Sequence, residues 1–471
     1  MSPDVVVFVA LGLLLVLLCI ETPVAFALAA AGATGIMLLR DVDLATSTMG
    51  DVPLTATAHY SLVIIPMYVV LGMFALHGNL AGRVYAAGSV LLRRLPGGLG
   101  VATVAACAGF SAVSGSSVAT AASMGKLSVT EMMKAGYKPH FATGIVAIAG
   151  TLGILIPPSV ALVIYGVLAR ESIAQLLVAG IIPGVLSAAA YAMLIAVRAR
   201  KMMVAPGADL RRQLVALSSP GGTRPAPAFS GGSTAELLEA GEDEPAPVTR
   251  FQQVRAVCWL MLIFGVVLTG VFSGVFTVIE SAAVGAIAAL IMLFVENLKL
   301  GSREILRRMK NALLEAAGIT AMSFALVVGA AMFSVFLVMA RVPMRFTEWV
   351  AGIDVPPMVV VALLLAALIP LGMFLDPLAI IVIVVPLVHP AVTELGFDGI
   401  WFAVLFVMLL EIGLVTPPVG INTFVVSMTS GVKVESVFRG VFPFLAVSVV
   451  VVVIVFVFPE TALWLPSMVA E

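Results

Sequence analysis

Two copies of one apolar segment, each interrupted by a Pro-Pro pair, lie 260 residues apart in this chain. The first copy reads GYKPHFATGIVAIAGTLGILIPPSV from Gly136, and the second reads GFDGIWFAVLFVMLLEIGLVTPPVG from Gly396. The aligned pairs, which need no gap, are Gly136 and Gly396, Gly153 and Gly413, Pro157 and Pro417, Pro158 and Pro418, Gly180 and Gly440, and Pro183 and Pro443. Two related halves with matching interruptions are typical of a secondary transporter in a membrane.

The composition places this pattern in a lipid bilayer. Of the 471 residues, 61% are hydrophobic and 11% are charged, whereas soluble domains are about 25% charged. A span needs roughly 20 apolar residues, and such stretches recur from Val5 to Phe458, which predicts about eleven to thirteen membrane segments. Asp4 stands where a cleaved signal peptide carries basic residues, so we expect residues 1–20 to form a retained first span.

Basic residues indicate which ends of the spans face the cytoplasm. Lysines and arginines cluster in residues 83–94, 198–212 and 299–310. The positive-inside rule places these three regions in the cytoplasm. The three cysteines occur singly, without the spacing of a disulfide framework or a metal site.

The repeat divides the chain into six parts. The hydrophilic part is rich in Pro, Gly and Ser and carries an acidic run, a composition typical of a flexible linker. In chain order the parts are an N-terminal span (1–20), the first repeat (21–197), a cytoplasmic linker (198–255), a connecting span (256–278), the second repeat (279–458) and a C-terminal tail (459–471).

A polar segment within the first repeat predicts a re-entrant helical hairpin near residues 109–123. The sequence GFSAVSGSSVATAAS places Ser114, Ser116 and Ser117 around Gly115. Glycine permits the turn, and hydroxyls and free N–H groups at such a tip can hold a cation or an anion. Close packing of small residues between helices is the alternative explanation. In the second repeat we expect the corresponding hairpin at about 312–340.

The Pro-Pro pairs predict broken helices near 157–159 and 416–420. Irregular backbone inside a bilayer is tolerated where it lines a cavity in the protein. Pro157 and Pro417 leave carbonyl groups without donors, and hard cations bind such oxygens. Ser159, Thr416 and Asn422 add side-chain oxygens beside the breaks. A simple proline kink at each place is the competing interpretation.

Two charged residues in apolar surroundings complete the candidate set. Asp376 stands in LGMFLDPLAIIVIVVPL, opposite Ser116 under the 260-residue offset. A lone carboxylate in a bilayer indicates a functional site, with pairing to an arginine as the alternative. Arg341 offers the positive charge that an anionic substrate needs, although a position at the membrane boundary also explains it.

The sequence contains neither a P-loop nor an HExxH motif, so we expect no enzyme and no pump that binds its own nucleotide. A channel would require a continuous polar path, whereas the polar interruptions here are isolated. A carrier is therefore the favoured class.

The chain resembles the large membrane subunit of tripartite ATP-independent periplasmic (TRAP) transporters, the DctM-like family. It departs from the family pattern in VIESAAVGA, where TptEAAAvGA is usual, and in the insertion at 198–255. The stretches that carry the resemblance are IPMYVVLGMFALHGNLAGRV, FSAVSGSSVATAAS, GTLGILIPPSVALVIYG, AGIIPGVL, GVFTVIESAAVGA, GMFLDPLAIIVIVVPLVHPA and IGLVTPPVGINTFVV.

The resemblance implies an all-α polytopic integral membrane protein of the ion-transporter superfamily. Two inverted repeats with re-entrant hairpins and Pro-broken helices would work by an elevator-type motion. The function implied is sodium-coupled import of a small organic anion across the bacterial inner membrane, with no cofactor besides sodium ions and no nucleic-acid partner. A small four-span subunit would brace the chain, and a periplasmic binding protein would deliver the substrate. The alternative is a stand-alone sodium- or proton-coupled divalent-anion symporter.

The candidate site residues form two overlapping sets. Those expected to bind the substrate are Ser114, Ser116, Ser117, Ser159, Arg341 and Asn422. Those expected to bind sodium are Ser114, Gly115, Pro157, Asp376, Thr416 and Pro417. Among them, the resemblance implies an ion or substrate role for Ser114, Ser116, Ser159, Asp376 and the Thr416–Pro418 break.

Overall fold

A computed structural model describes residues 2–92, 95, 97–203 and 250–468 of the chain. These residues are predominantly helical, and the β-pairing among them is one isolated bridge between Tyr137 and Met203. Most of the expected linker, residues 204–249, and the end of the tail, residues 469–471, lie outside the described residues.

The described part of the first half is a series of α-helices joined by short turns. They are α1 (Pro3–Cys19), α2 (Val24–Leu39), α3 (Val42–Thr57), α4 (Ile64–His77), α5 (Leu80–Leu92), α6 (Gly98–Ser114), α7 (Ser117–Lys134), α8 (Pro139–Leu155), α9 (Val160–Ala169), α10 (Ile173–Ala179) and α11 (Ile181–Met202).

The second half continues in the same way. Its helices are α12 (Arg250–Phe272), α13 (Val278–Asn297), α14 (Ser302–Met339), α15 (Val342–Ala351), α16 (Pro357–Ala366), α17 (Leu368–Phe374), α18 (Pro377–Glu394), α19 (Gly399–Gly413), α20 (Ile421–Ser430), α21 (Val434–Val457) and α22 (Glu460–Leu463).

Helix bounds in the two halves follow the 260-residue offset seen in the sequence. Helix α7 begins at Ser117 and α18 at Pro377, and α8 begins at Pro139 and α19 at Gly399. The peptide bonds Pro157–Pro158 and Pro417–Pro418 are both cis. The related sequences therefore begin their helices at matching positions, although α8 has 17 residues and α19 has 15.

Helices α8 and α19 form the centre of the molecule. Every residue of α19 is buried, and so is every residue of α8 from Phe141 onward. Both helices are predominantly apolar on all sides, as expected of helices that are surrounded by protein. The hairpin arms α6, α7, α17 and α18 pack around this core.

Helices α1–α5 and α12–α14 form a peripheral layer, in which α2 packs on α14, α4 on α13 and α5 on α12. Helices α4 and α5 of this layer also pack on the hairpin arm α6. Glu296 at the end of α13 forms ion pairs with Arg83 of α5 and Arg255 of α12. Nη1 of Arg308 in α14 donates to Oδ1 of Asn297, the residue that follows Glu296, at 3.4 Å. Basic residues from separate parts of the sequence thus meet at one end of this layer.

Within the described residues, nine helical segments are long and apolar enough to cross a membrane. Shorter apolar helices include α1, the hairpin arm α6 and the core helix α19. Helices α6 and α19 are therefore shorter than a full span, as expected for a hairpin arm and a part of a broken helix.

The hairpin expected at about 312–340 is not formed, and that prediction was wrong. Helix α14 runs without interruption through this segment, from Ser302 to Met339. The segment lacks proline and is rich in Ala, Leu and Met, which favour a continuous helix. The turn instead lies between Phe374 and Pro377, where α17 ends and α18 begins.

Candidate functional site

The first hairpin turns at the predicted Ser-Gly-Ser-Ser sequence. Helix α6 ends at Ser114, and Gly115 adopts a left-handed conformation with φ 61°. Ser116 caps α7, because its hydroxyl oxygen accepts a hydrogen bond from the amide of Ala119 at 3.3 Å. Ser117 is buried. The side chain of Ser114 lies outside the described part of the structure, so its expected role stays a prediction.

This hairpin tip lies directly on the first broken helix. A Cβ atom on Gly115 would lie 2.7 Å from the carbonyl oxygen of Pro158, and one on Gly153 would lie 2.8 Å from that of Ser116. Glycine is required at both positions because backbone meets backbone there. The structure therefore brings together the tip and the break, which are about 40 residues apart in sequence.

The first break is closed and hydrogen bonded within itself. Ser159 is fully buried, and its hydroxyl donates to the carbonyl oxygen of Ile154. The hydroxyl oxygen of Ser159 accepts a hydrogen bond from the amide of Leu162 at 3.2 Å, which caps α9. Ser159 therefore stabilises the break, with its hydroxyl hydrogen already engaged. Pro157 is buried beside it.

The second break is more open. Pro417 is half-buried and Pro418 is exposed. The hydroxyl of Thr416 donates to the carbonyl oxygen of Ile412 at 2.5 Å, which leaves the lone pairs of the Thr416 oxygen as acceptors. Gly420 has a φ of 59°, which allows the chain to turn into α20.

Asn422 lies just beyond this break with an unsatisfied side chain. The residue is 0% exposed, yet neither Oδ1 nor Nδ2 has a hydrogen-bond partner among the described residues. Its backbone amide is engaged, since it donates to the carbonyl of Leu414 at 3.1 Å. A buried amide without partners costs about 1–3 kcal/mol. The Asn422 side chain therefore presents an unused donor and an unused acceptor beside the break.

Asp376 occupies the tip of the second hairpin. Its Oδ2 atom accepts a hydrogen bond from the amide of Leu378 at 3.0 Å and caps α18. Asp376 is exposed. Behind the tip, a Cβ atom on Gly413 would lie 2.6 Å from the Cα atom of Gly372, so α17 lies against the end of α19. Each half thus has a capped hairpin tip next to an interrupted helix.

Arg341 lies apart from these elements in the structure. It sits in the turn between α14 and α15 with a φ of 57°, and it is exposed. The shallow surface groove that it lines is otherwise formed by Val338, Pro343 and Met344. This groove contains no residue of either tip or break, so the structure does not join Arg341 to the other candidates.

Two buried polar clusters escaped the sequence-based selection. Glu411 of α19 lines a small cavity between the helices. In the sequence, its only distinguishing feature is a charged side chain within an apolar run. Tyr165 of α9 and His389 of α18 are hydrogen bonded, and Glu171 in the turn after α9 lies 3.3 Å from the other imidazole nitrogen of His389. Burial raises the pKa of Glu171 above its usual value, and the nearby carboxylate of Asp398 adds to this effect.

In the described ranges, no three His, Cys, Asp or Glu side chains are grouped as transition-metal ligands. The tips and breaks instead present hydroxyl, carboxylate, amide and backbone carbonyl oxygens. Oxygen ligands of this kind suit hard cations.

Together, the fold and these features define a polytopic helical membrane protein of the carrier type, with two hairpin tips against two interrupted helices. Over residues 11–461 the chain matches the family described as "Tripartite ATP-independent periplasmic transporter, DctM component". The chain belongs to this family of TRAP transporter large permeases, which confirms the resemblance seen in the sequence. It is a membrane permease subunit and not an enzyme.

Relatives of this family have named substrates. The chain is 32% identical over 413 residues to the C4-dicarboxylate TRAP transporter large permease protein DctM of Pseudomonas aeruginosa, covering 87% of each chain. It is 29% identical to the isethionate TRAP transporter permease protein DctMQ of Oleidesulfovibrio alaskensis, covering 95% of this chain and 64% of that one. Both named substrates are small organic acids.

A solved structure shares the fold. The crystal structure of the Alcanivorax borkumensis YdaH transporter, described as having an unusual topology, superimposes with a TM-score of 0.56. The match covers 91% of both chains at 15% sequence identity. At this identity the similarity concerns the fold alone.

Proposed function

We propose that this chain is the ion- and substrate-carrying subunit of a sodium-coupled importer of a small organic anion. The observation that carries the proposal is the pair of hairpin tips, each capped by Ser116 or Asp376 and each adjoining an interrupted helix. Relatives named for C4-dicarboxylates and isethionate support an organic anion as the substrate. The bacterial inner membrane is the expected location.

Sodium would bind to oxygens presented by the tips and breaks. Asp376 supplies a carboxylate, while Thr416 and the carbonyls released by Pro157 and Pro417 supply neutral oxygens. Bound positive charge would then favour an anion beside it. Asn422 would bind the anion, because its buried Nδ2 group has no acceptor among the described residues.

Cross-packing of the halves supports movement of the site as a unit. Hairpin arm α7 of the first half packs on α20 of the second, and α18 of the second packs on α9 of the first. Each hairpin is thereby fixed to the break of the opposite half. Such a block could move rigidly against the peripheral layer of α1–α5 and α12–α14, which would give alternating access by an elevator-type motion.

The expected partners are a small four-span subunit and a periplasmic binding protein. A relative named DctMQ, of which this chain covers 64%, supports a second membrane component. Membership of the DctM family favours this tripartite arrangement over a stand-alone divalent-anion symporter.

A comparison of thermal stability in sodium, potassium and choline chloride tests sodium binding directly. A ligand that binds only the folded protein stabilises it by about 2.7 kcal/mol at a hundred times its dissociation constant. We expect a rise specific to sodium, its loss in Asp376→Asn, and a further rise on adding succinate to the wild type in sodium.

The matched control is Asp41→Asn. Asp41 caps α3 by accepting from the amide of Leu44 at 2.7 Å, so it resembles Asp376 in its local role. Asparagine caps helices about as well as aspartate, and both variants should therefore fold. Equal responses to the three salts, or a sodium response retained by Asp376→Asn, would contradict the assignment.

A further inference from the structure

Glu411 lies in a cavity that belongs to neither hairpin tip nor break. The residue is 4% exposed, and its Oε1 atom has no hydrogen-bond partner among the residues that the structure describes. The cavity measures about 10 Å³, enough for roughly one water molecule. Its polar lining comprises Thr151, Ser187, Tyr191, Glu411 and Ser448.

The cavity lies where the two halves cross. Thr151 of α8 and Glu411 of α19 are equivalent positions, since they are 260 residues apart. Helices α8 and α19 are the fully buried arms of the two broken helices, and α11 and α21 close the cavity from the side. A charge on Glu411 would therefore lie in the core, between the halves.

The surrounding hydroxyl groups offer acceptors to Glu411 and few donors. The hydroxyl of Thr151 donates to the carbonyl of Ile148 at 2.8 Å, and that of Ser448 donates to the carbonyl of Phe444 at 3.0 Å. Tyr191 and Ser448 lie 2.8 Å apart, so Tyr191 must be the donor of that pair. Three of the four hydroxyl hydrogens are thus directed away from the carboxyl group, and the hydroxyl of Ser187 remains.

No cationic side chain lines this cavity in the described structure. On the adjoining helices the nearest basic residues are His140 on α8, Arg198 on α11 and Arg439 on α21. They lie about 10–16 Å away along their helix axes, at 1.5 Å per residue. Tyr191 is the other titratable group that faces Glu411, and its hydroxyl is engaged with Ser448.

We propose that Glu411 is a proton-binding site: its carboxyl group is protonated in this conformation and donates its hydrogen into the cavity. A proton removes the charge from the core and supplies the donor that the surrounding oxygens lack. A bare carboxylate would have no counter-charge among the lining residues and, besides the backbone of Leu155, too few donors. The site is separate from the proposed sodium site at the tips and breaks. Protonation of Glu411 would therefore make the carrier sensitive to pH independently of sodium binding.

Infrared difference spectroscopy on the purified chain tests this site without any transport assay. The wild-type minus Glu411→Gln spectrum at neutral pH should contain the carbonyl band of a protonated carboxyl group, which shifts on exchange into D₂O. Thr151→Val should shift that band, because it removes an acceptor from the cavity. Thr143→Val is the control, since Thr143 lies on the same helix but donates to Pro139 outside the cavity.

A difference spectrum with carboxylate bands, with or without a response to sodium, would overturn the proposal. A Thr143→Val shift as large as that of Thr151→Val would also overturn it, because the band would then report general disturbance of α8. Failure of the sodium test at Asp376 leaves these outcomes unaffected, so the two proposals fail separately.

Thermal stability provides a second and independent readout. If the folded protein holds a proton on Glu411 that the unfolded protein has released, the ratio of folded to unfolded protein falls by up to tenfold for each pH unit. A variant without this carboxyl group does not show that fall. Between about pH 6 and about pH 8.5 the wild type should therefore lose stability relative to Glu411→Gln. A Glu411→Gln protein that is less stable than wild type only in sodium would show a cation site instead and overturn protonation.

Discussion

The hydroxyl oxygen of Tyr165 lies 3.0 Å from Nδ1 of His389, and this contact joins α9 of the first half to α18 of the second. On the other side of the imidazole, Nε2 lies 3.3 Å from Oε1 of Glu171. Tyr165 is fully buried. The broken helix of one half is therefore held to the hairpin arm of the other by a specific polar contact as well as by apolar packing.

Removing the hydroxyl in Tyr165→Phe should lower the free energy of unfolding by about 1–2 kcal/mol, because His389 loses a buried partner. The ring keeps its edge contact with Phe406, whose centroid lies 5.6 Å away. Thermal unfolding of the purified variant measures the change. Tyr60→Phe is the control, since Tyr60 is 72% exposed and should tolerate the change. Equal stability of the two variants would argue against the link.

Contact between α7 and α20 should be sensitive to a single methyl group at Gly125. A Cβ atom there would lie 2.0 Å from Oγ1 of Thr429, so Gly125→Ala should cost about 1–3 kcal/mol of stability. The double variant with Thr429→Ala should recover part of this loss. Gly318→Ala in α14 is the control: no atom lies within 4 Å of its Cβ position. Equal unfolding temperatures for Gly125→Ala and Gly318→Ala would contradict close packing of α7 on α20.

Asn422→Leu should separate folding from ligand binding. Leucine fills a similar volume and removes two buried polar atoms without partners, so stability without ligand should stay equal or increase. Stabilisation by succinate in sodium should be lost. Thr423→Val is the matched control, because Thr423 is also fully buried and bonds to the carbonyl of Val415 at 3.5 Å. Retained succinate stabilisation in Asn422→Leu would exclude Asn422 from the binding site.

Glu171 should make stability depend on pH in a defined direction. Burial, and then the Asp398 carboxylate, raise the pKa of Glu171 above its unfolded value. A carboxyl group of this kind binds protons more readily when folded, so folding is favoured at lower pH. From about pH 4.5 upward, the wild type should lose stability relative to Glu171→Gln, until Glu171 is deprotonated in the folded state. Unfolding curves across pH check this, and parallel pH profiles would contradict it.

The positions of the breaks and of the first hairpin tip could be predicted from the sequence because they depend on local backbone chemistry. Two prolines end α8 and α19 whatever surrounds them, and Gly115 permits a tight turn. The same reasoning aligned Ser116 with Asp376, and both residues cap the second arm of a hairpin. The chain's membership of the DctM family was likewise evident from these motifs.

The second hairpin was misplaced because its tip lacks the Ser-Gly-Ser-Ser signal of the first hairpin. Its tip carries a single polar residue, Asp376, and its first arm is divided into α16 and α17. Ser159 is another case: its sequence position indicated a ligand-binding hydroxyl, whereas the structure shows the hydrogen engaged with Ile154. Ile154 is only five residues from Ser159 in sequence, but the hydrogen bond between them depends on the backbone geometry of the break.

The sequence alone established a two-part helical membrane carrier and the positions at which its helices break, since apolar length, glycine and proline act locally. Which residues meet was settled by how the halves pack: Tyr165 with His389, Gly125 with Thr429, and Glu411 with the hydroxyls of α8, α11 and α21. These contacts depend on the crossing of buried helices that are almost uniformly apolar. A uniform apolar surface carries no periodic signal that fixes how two helices are rotated against each other.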